Sequence, residues 1–153
     1  MNPPYVAAAS LERLLPGDMV GEVAFSPDSR LLVTCGQDAY RFWRTSDWTA
    51  VFSVARNDTG DSSGMVDFAL DGSMVAIAPT ARLIRLLDPA TGRELANLEP
   101  PGPLANGWFA FSPDCTQLAV SGWKHPVQLW DLRLIRHELA ALRLDWDSPP
   151  AKR

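Results

Sequence analysis

The stretch Phe109–Ala119 reads FAFSPDCTQLA, and related stretches begin at Val23 (VAFSPDSRLLV) and Val66 (VDFALDGSMVA), each 43 residues before the next. A fixed period of this length indicates a repeat architecture, in which each unit buries its apolar surface against its neighbours. Within each copy a turn such as Ser26–Asp28 separates two apolar runs. Proline and aspartate suit the positions of a β-turn, so each copy predicts a β-hairpin.

A second landmark follows each hairpin: YRFWR begins at Tyr40, IRLLD at Ile84 and VQLWD at Val127. The runs around the turns are short, apolar and rich in branched residues, which favours strands covered on both faces of a sheet. A fourth strand is predicted at Val51–Val54 in the first unit and at Glu94–Leu98 in the second. The third unit has no such run.

This order of landmarks resembles the WD40 repeat, a unit of about 40–45 residues whose four strands form one blade of a β-propeller. The resemblance covers residues 17–131, and Trp130-Asp131 matches the dipeptide that gives the repeat its name. It implies an all-β fold of about three antiparallel four-stranded blades, similar to the terse bacterial form of the repeat. The corresponding pairs of the other units are degenerate: Trp43-Arg44 and Leu87-Asp88.

Departures from the family pattern are as informative as the matches. The family's Gly-His before the first strand is missing from all three units, and its turn aspartate is replaced by Ala81 in the second unit and Lys124 in the third. Asp38 is present in the first unit. The buried hydrogen-bond chain from histidine to tryptophan that the resemblance implies is therefore incomplete in every blade, and we expect these blades to depend more on apolar packing.

The chain divides into an N-terminal extension (1–16), three repeats (about 17–60, 61–103 and 104–131) and a C-terminal helix with its tail (132–153). Residues 10–15 could form a short helix and 5–7 a closing strand. Asp131 is a good N-cap for the terminal helix. Apolar residues recur at helical spacing on one side of that helix: Leu132, Ile135, Leu139 and Leu142. The helix either packs on its own last blade or docks on a partner.

Three blades are too few to close a ring, because propellers have about four to eight. Two blade faces and their edges are therefore left open. Three arrangements remain: the chain is the C-terminal part of a longer propeller, two copies complete a ring of six, or terminal helices cover the open ends.

Composition excludes several classes of function. The net charge of −4 argues against nucleic acid, which attracts basic surfaces, and no apolar run is long enough to span a membrane. The first residues lack the basic and apolar regions of a signal peptide. Cys35 and Cys115 form neither a disulfide framework nor a metal spacing. We expect a reduced, cytoplasmic protein.

No catalytic constellation stands out. His137 lies on the predicted helix, His125 in a loop, and neither cysteine is in a setting that would activate it. The oxygen-rich stretch Asn57–Asp61 lacks the alternating ligands of a calcium loop and is better explained as a polar connection between blades. We therefore expect no enzymatic activity, no cofactor and no metal ion.

The resemblance implies that the loops between second and third strands share one face with the connections between blades, and that this face binds proteins. The candidate partner-binding residues on it are Trp123, Lys124, His125, Arg82, Asp58 and Asp61. A tryptophan with basic neighbours is typical of a protein-interface hot spot, and Trp123 fits this description unless it packs down onto a neighbouring blade. The other tryptophans of the repeats are predicted to lie in the core: Trp43, Trp108 and Trp130.

These observations favour a non-catalytic protein–protein interaction or scaffolding module. The alternative is a structural C-terminal fragment of a larger multidomain propeller protein, for example a kinase-linked one, with no binding role of its own. A propeller enzyme is the third and weakest hypothesis.

Overall fold

The computed structural model describes residues 13–16, 21–57, 64–104, 107–122 and 125–146 of the chain. These residues form three antiparallel sheets, which follow one another along the sequence, and one helix. The fold predicted from the sequence, three blades built mainly of antiparallel strands, is confirmed.

In each of the first two sheets, four strands lie side by side in sequence order. The first sheet, blade one, consists of β1 (Glu22–Phe25), β2 (Leu31–Cys35), β3 (Ala39–Arg44) and β4 (Ala50–Ala55). Blade two consists of β5 (Val66–Phe68), β6 (Val75–Thr80), β7 (Leu83–Leu87) and β8 (Glu94–Leu98).

Blade three has three strands and a helix in place of the fourth. Its elements are β9 (Phe109–Phe111), β10 (Gln117–Gly122), β11 (His125–Asp131) and α1 (Leu132–Ala141). The absence of a fourth strand in the sequence of this unit is thus matched in the described part of the chain. The inner strands β1, β5 and β9 contact one another in series and set the order of the blades.

Each blade packs through two faces, since successive side chains of a strand point to opposite sides of the sheet. We call the side that faces the next blade in the sequence the forward face, and the opposite side the backward face. The forward face of blade one meets the backward face of blade two in one apolar core: Val33, Cys35, Tyr40 and Phe42 against Val66, Phe68, Val75, Ile77 and Leu87.

The second core lies between blades two and three. The forward face of blade two contributes Met65, Ala76, Ala78, Ile84 and Leu86, and the backward face of blade three contributes Phe109, Leu118 and Val120. Blade two is thus covered on both faces, which explains why its strands read as nearly continuous apolar runs.

The turn between the first two strands repeats in geometry as well as in sequence. Ser29, Gly72 and Cys115 all have positive φ, at 61°, 74° and 58°. In each turn the N–H of this residue donates to the carbonyl three residues earlier, as in Gly72 to Ala69 at 2.9 Å. A type I turn followed by one left-handed residue is a common way to close a hairpin.

The terminal helix packs on its own protein. Asp131 caps it by accepting from the backbone N–H groups of Arg133 and Leu134. Leu132 is buried in the core between blades two and three, and Trp146 folds back into the same core. Leu142, which was expected on the packed side, is exposed, because α1 ends one residue before it.

Among the tryptophans predicted to lie in the core, Trp43 is buried and donates to the Thr34 hydroxyl at 2.9 Å. Trp130 is partly buried against the second core. Trp108 was placed wrongly: its side chain is 69% exposed, because it lies on the forward face of blade three, which no described residue covers. The predicted N-terminal strand and most of the predicted N-terminal helix fall outside the described residues.

Candidate functional site

The second-to-third-strand turns and the connections between blades lie at one end of the blades, which we call the loop face. Backbone hydrogen bonds join each connection to a neighbouring turn: Arg56 N–H to Asp38 O (2.7 Å), Asn57 N–H to Pro79 O (3.0 Å) and Leu104 N–H to Ala81 O (2.6 Å). The described ends of these connections are therefore bonded to the turns of the sheets.

A buried arginine lies beneath the loop face and bonds to one of its turns. Arg56 donates through its guanidinium to the Gly36 carbonyl at 2.6 Å and stands 5.5 Å from the centre of the Tyr40 ring. The Tyr40 hydroxyl in turn reaches the backbone of Met65 and Ala78 in blade two. Burial raises the pKa of Tyr40, so its phenol stays protonated and keeps its hydrogen to donate.

Two of the six candidate binding residues lie within the described part of the chain. His125 opens β11 and is exposed, and Arg82 is exposed in the turn between β6 and β7. The connection Gly102–Leu104 runs between them: Leu104 bonds to the turn beside Arg82, and Gly102 lies next to the His125 ring. The remaining candidates fall outside the described residues: Trp123, Lys124, Asp58 and Asp61.

Sequence reasoning missed Trp108 as an accessible aromatic residue. It follows the second connection and its backbone N–H donates to the Ser121 hydroxyl at 2.9 Å, which fixes the start of β9. The repeat itself contained the signal, because Trp108 stands 43 residues after Met65 and thus falls on the forward face of the third repeat.

Two carboxylates lie on the inner strands at the junctions between blades. Asp67 accepts from the Phe111 N–H at 2.9 Å and from the Phe68 N–H at 3.0 Å. Burial raises the pKa of Asp67, against the lowering effect of these bonds. Burial also raises the pKa of Glu22, with a smaller contribution from the nearby charge of Asp67. Both carboxylates are engaged in joining blades, which is a structural use.

No reactive centre is assembled by the described residues. Among them, no group of three or more His, Cys, Asp or Glu side chains could hold a metal ion. Cys35 and Cys115 are buried and not bonded to each other. Burial raises the pKa of Cys35, which keeps it a thiol rather than a nucleophilic thiolate. Within the described part of the chain, no helix has the length and apolar character needed to cross a membrane.

A cleft of about 470 Å³ lies at the other end of the blades, between the turns of blades one and two. Two arginines line it, but each has a carboxylate neighbour: Arg44 pairs with Asp47 at 3.0 Å and Arg30 with Asp28 at 3.9 Å. All four side chains are solvent-exposed or nearly so, and such pairs are typical of a hydrated surface.

No family model and no curated protein matches the sequence. The structure does match solved structures: one described as the structure of U3-55K (TM-score 0.65) and a crystal structure of RRP9 WD40 repeats (TM-score 0.66). Each match covers 80% of the residues of this chain, with 16% sequence identity. The chain spans only 39% and 38% of the lengths of those two chains. The three sheets of this chain are therefore WD40-like blades, an incomplete part of a propeller fold.

Proposed function

We propose that this chain is a non-catalytic protein–protein interaction or scaffolding module that binds a protein partner through the loop face. The observation that carries the proposal is that Arg82 and His125, from two different blades, are both exposed on this face. The second connection runs beside both residues: Leu104 bonds to Ala81, next to Arg82, and Gly102 lies near the His125 ring. Binding residues on loops held by a rigid scaffold are a common arrangement in proteins.

The chemistry of the loop face suits a protein partner better than other ligands. Arginine is enriched at protein interfaces, and imidazole can donate or accept a hydrogen bond. The candidates Trp123, Lys124, Asp58 and Asp61 add an aromatic side chain and charges of both signs to the same set of loops. The net charge of −4 disfavours nucleic acids and anionic membranes. We place the protein in the cytoplasm.

The test is a comparison of captured partners between matched variants. Arg82→Ala/His125→Ala removes the two described loop-face side chains, and Arg93→Ala/His137→Ala removes the same residue types from exposed positions elsewhere. Tagged proteins are expressed in cells and the captured proteins quantified. We expect at least one partner to fall about tenfold with the first variant, since hot-spot truncations cost more than about 1 kcal/mol. Equal capture by all three proteins would overturn the proposal.

A second role is favoured by the open blade faces. Trp108, Val127 and Leu129 on blade three, and Val23 and Phe25 on blade one, are exposed apolar side chains at the two ends of the stack. Such surfaces mark contact sites. We propose that they complete a propeller, either with further blades of a larger multidomain protein, such as a kinase-linked one, or with a second copy that makes a ring of six.

A further inference from the structure

We infer that the forward face of blade three docks on the backward face of blade one in a second copy of this chain, so that two copies close one six-bladed ring. This inference depends on the ring-completing role proposed above, and it does not involve the loop face. It follows from the repeat, because each open end face has a counterpart inside the chain that is already buried in a blade junction.

The forward face of blade three is apolar at the same positions as the forward face of blade two. Trp108, Val127 and Leu129 stand 43 residues after Met65, Ile84 and Leu86. Met65, Ile84 and Leu86 are 0% exposed under blade three, whereas Trp108 is 69%, Val127 62% and Leu129 68% exposed. The three positions therefore present apolar side chains to solvent where no described blade lies over them.

The inner strand of blade one is open on its backward face in the complementary way. Val23 and Phe25 stand 43 residues before Val66 and Phe68. Val66 and Phe68 are 5% and 7% exposed in contact with blade one, whereas Val23 and Phe25 are both 58% exposed. Leu32 and Trp43 on the same face are buried, so the open part of this face is its inner strand, β1.

The direction of docking follows from how blades meet inside the chain. A forward face always meets a backward face, and the inner strands contact each other in the order β1, β5, β9. The two open faces of one chain are one of each kind, so they are complementary to each other rather than to themselves. Two copies related by a twofold rotation about the central axis of the ring bury both open faces of each chain at once.

The junction between copies is expected to be more apolar than the junction of blades two and three. At the junction of blades two and three, Asp67 accepts from the Phe111 backbone. The corresponding pair at the new junction is Ala110 and Phe25, so no carboxylate is available there. Contact between copies then depends on burying Trp108, Val127 and Leu129 against Val23 and Phe25, which is favourable in proportion to the apolar area removed from water.

The test uses solution mass, measured by light scattering after size exclusion, with one charged substitution on each face. Wild type is expected at twice the 16.8 kDa of one chain. Leu129→Glu breaks the forward face of blade three and Phe25→Glu the backward face of blade one. Each variant alone is expected at 16.8 kDa, because every junction in a homodimer then contains one broken face. Leu70→Glu, at an equally exposed leucine of blade two away from both faces, is expected to keep the wild-type mass.

Mixing the two variants distinguishes head-to-tail docking from pairing of like faces. The intact forward face of Phe25→Glu can meet the intact backward face of Leu129→Glu, so the mixture is expected to regain dimer that neither variant forms alone. Recovery in the mixture also shows that both variants are folded.

Three outcomes would overturn the inference: a monomeric wild type, an assembly larger than two chains, or one single-face variant that still forms dimers. None of these outcomes bears on the loop face, whose variants are tested by partner capture. A monomer that still loses its captured partner on Arg82→Ala/His125→Ala would leave the interaction role standing and remove the two-copy ring.

Discussion

The hydroxyl of Tyr40 lies 2.9 Å from the carbonyl oxygen of Met65 and 3.0 Å from its backbone nitrogen, although the two residues belong to different blades. The same hydroxyl lies within 3.2 Å of both backbone polar atoms of Ala78. A phenol has one hydrogen to donate and two lone pairs to accept, so one side chain serves a cluster of backbone groups that water cannot reach. Tyr40 is thus a buried polar tie within a largely apolar junction.

Tyr40→Phe is therefore expected to destabilise the protein by about 1–3 kcal/mol, the usual cost of leaving buried polar groups without a partner. The ring, and with it the apolar packing, is retained. Urea unfolding followed by tryptophan fluorescence measures the change. A loss below about 0.5 kcal/mol, less than a typical net hydrogen bond contributes, would mean that the hydroxyl is not the tie between blades one and two.

The turn geometry gives a second prediction. Gly72 has φ +74°, and no atom lies within 4 Å of the position that an added Cβ would occupy. Gly72→Ala should therefore cost only the backbone penalty of the left-handed region, about 1–2 kcal/mol. Gly102→Ala is the matched control, since the nearest atom is 3.8 Å from its Cβ position and its φ lies outside that region. Thermal unfolding should show a lower midpoint for Gly72→Ala and little change for Gly102→Ala.

Much of this fold is readable from the sequence because its determinants are local. The turns at Ser26–Asp28 and Ser112–Asp114, the strand at Glu94–Leu98 and the N-cap at Asp131 each follow from residue types within a few positions of one another. The exposure of Trp108 is not local, because the same position is buried in blade two and open in blade three. Whether a side chain on the face of a blade is buried depends on the neighbouring blade, and the sequence of a single repeat does not show whether that neighbour is present.

The arrangement of the candidate binding residues was predictable from the sequence only in part, for the same reason. The order of strands predicts which loops share an end of the blades. Arg82 is exposed in such a turn, whereas His125, predicted in a loop, is exposed as the first residue of β11. The link between them depends on where the connection runs after β8, and the bond from Leu104 to Ala81 joins residues that no local motif relates.

A third prediction concerns ionisation in the turn of blade three. The Ser112 hydroxyl, 2.6 Å from Asp114, and the Thr116 hydroxyl and backbone lower the pKa of that carboxylate to about 2. A folded-state pKa below the unfolded value means that this turn adds stability above the unfolded pKa of about 3.9. That stability is lost as the pH falls through about 2.

Ser112→Ala removes the largest of these contributions and is expected to raise the pKa of Asp114 toward its ordinary value. Carboxyl NMR titration of the two proteins measures the difference. An Asp114 midpoint that does not move would show that Thr116 and the backbone alone stabilise the charge.

Asp67 is expected to behave in the opposite sense. Burial raises its pKa in the folded protein, so folding favours the protonated form and the contribution of this residue to stability decreases as the pH rises through that pKa. Asp67→Asn removes the titration while keeping the shape and an acceptor oxygen for Phe111. The stability of wild type relative to Asp67→Asn should therefore increase as the pH is lowered from about 7 to about 4, around the reference pKa of aspartate. Urea midpoints across this range that run parallel for the two proteins would contradict the assigned burial.

Asp131 closes the Trp-Asp dipeptide of the repeat and also begins α1, where a fourth strand stands in the other blades. Its carboxylate accepts from the N–H groups of Arg133 at 2.9 Å and Leu134 at 3.2 Å. Asp131→Ala removes both acceptors and should cost about 1 kcal/mol, whereas asparagine caps helices about as well as aspartate, so Asp131→Asn should cost less. Hydrogen exchange of the Arg133 and Leu134 amides should accelerate in Asp131→Ala and stay near wild type in Asp131→Asn.

Because Leu132 of this helix packs in the core between blades two and three, loosening of its first turn should also increase exchange in β10. Faster exchange confined to the helix would show that α1 is an appendage and not part of the last blade.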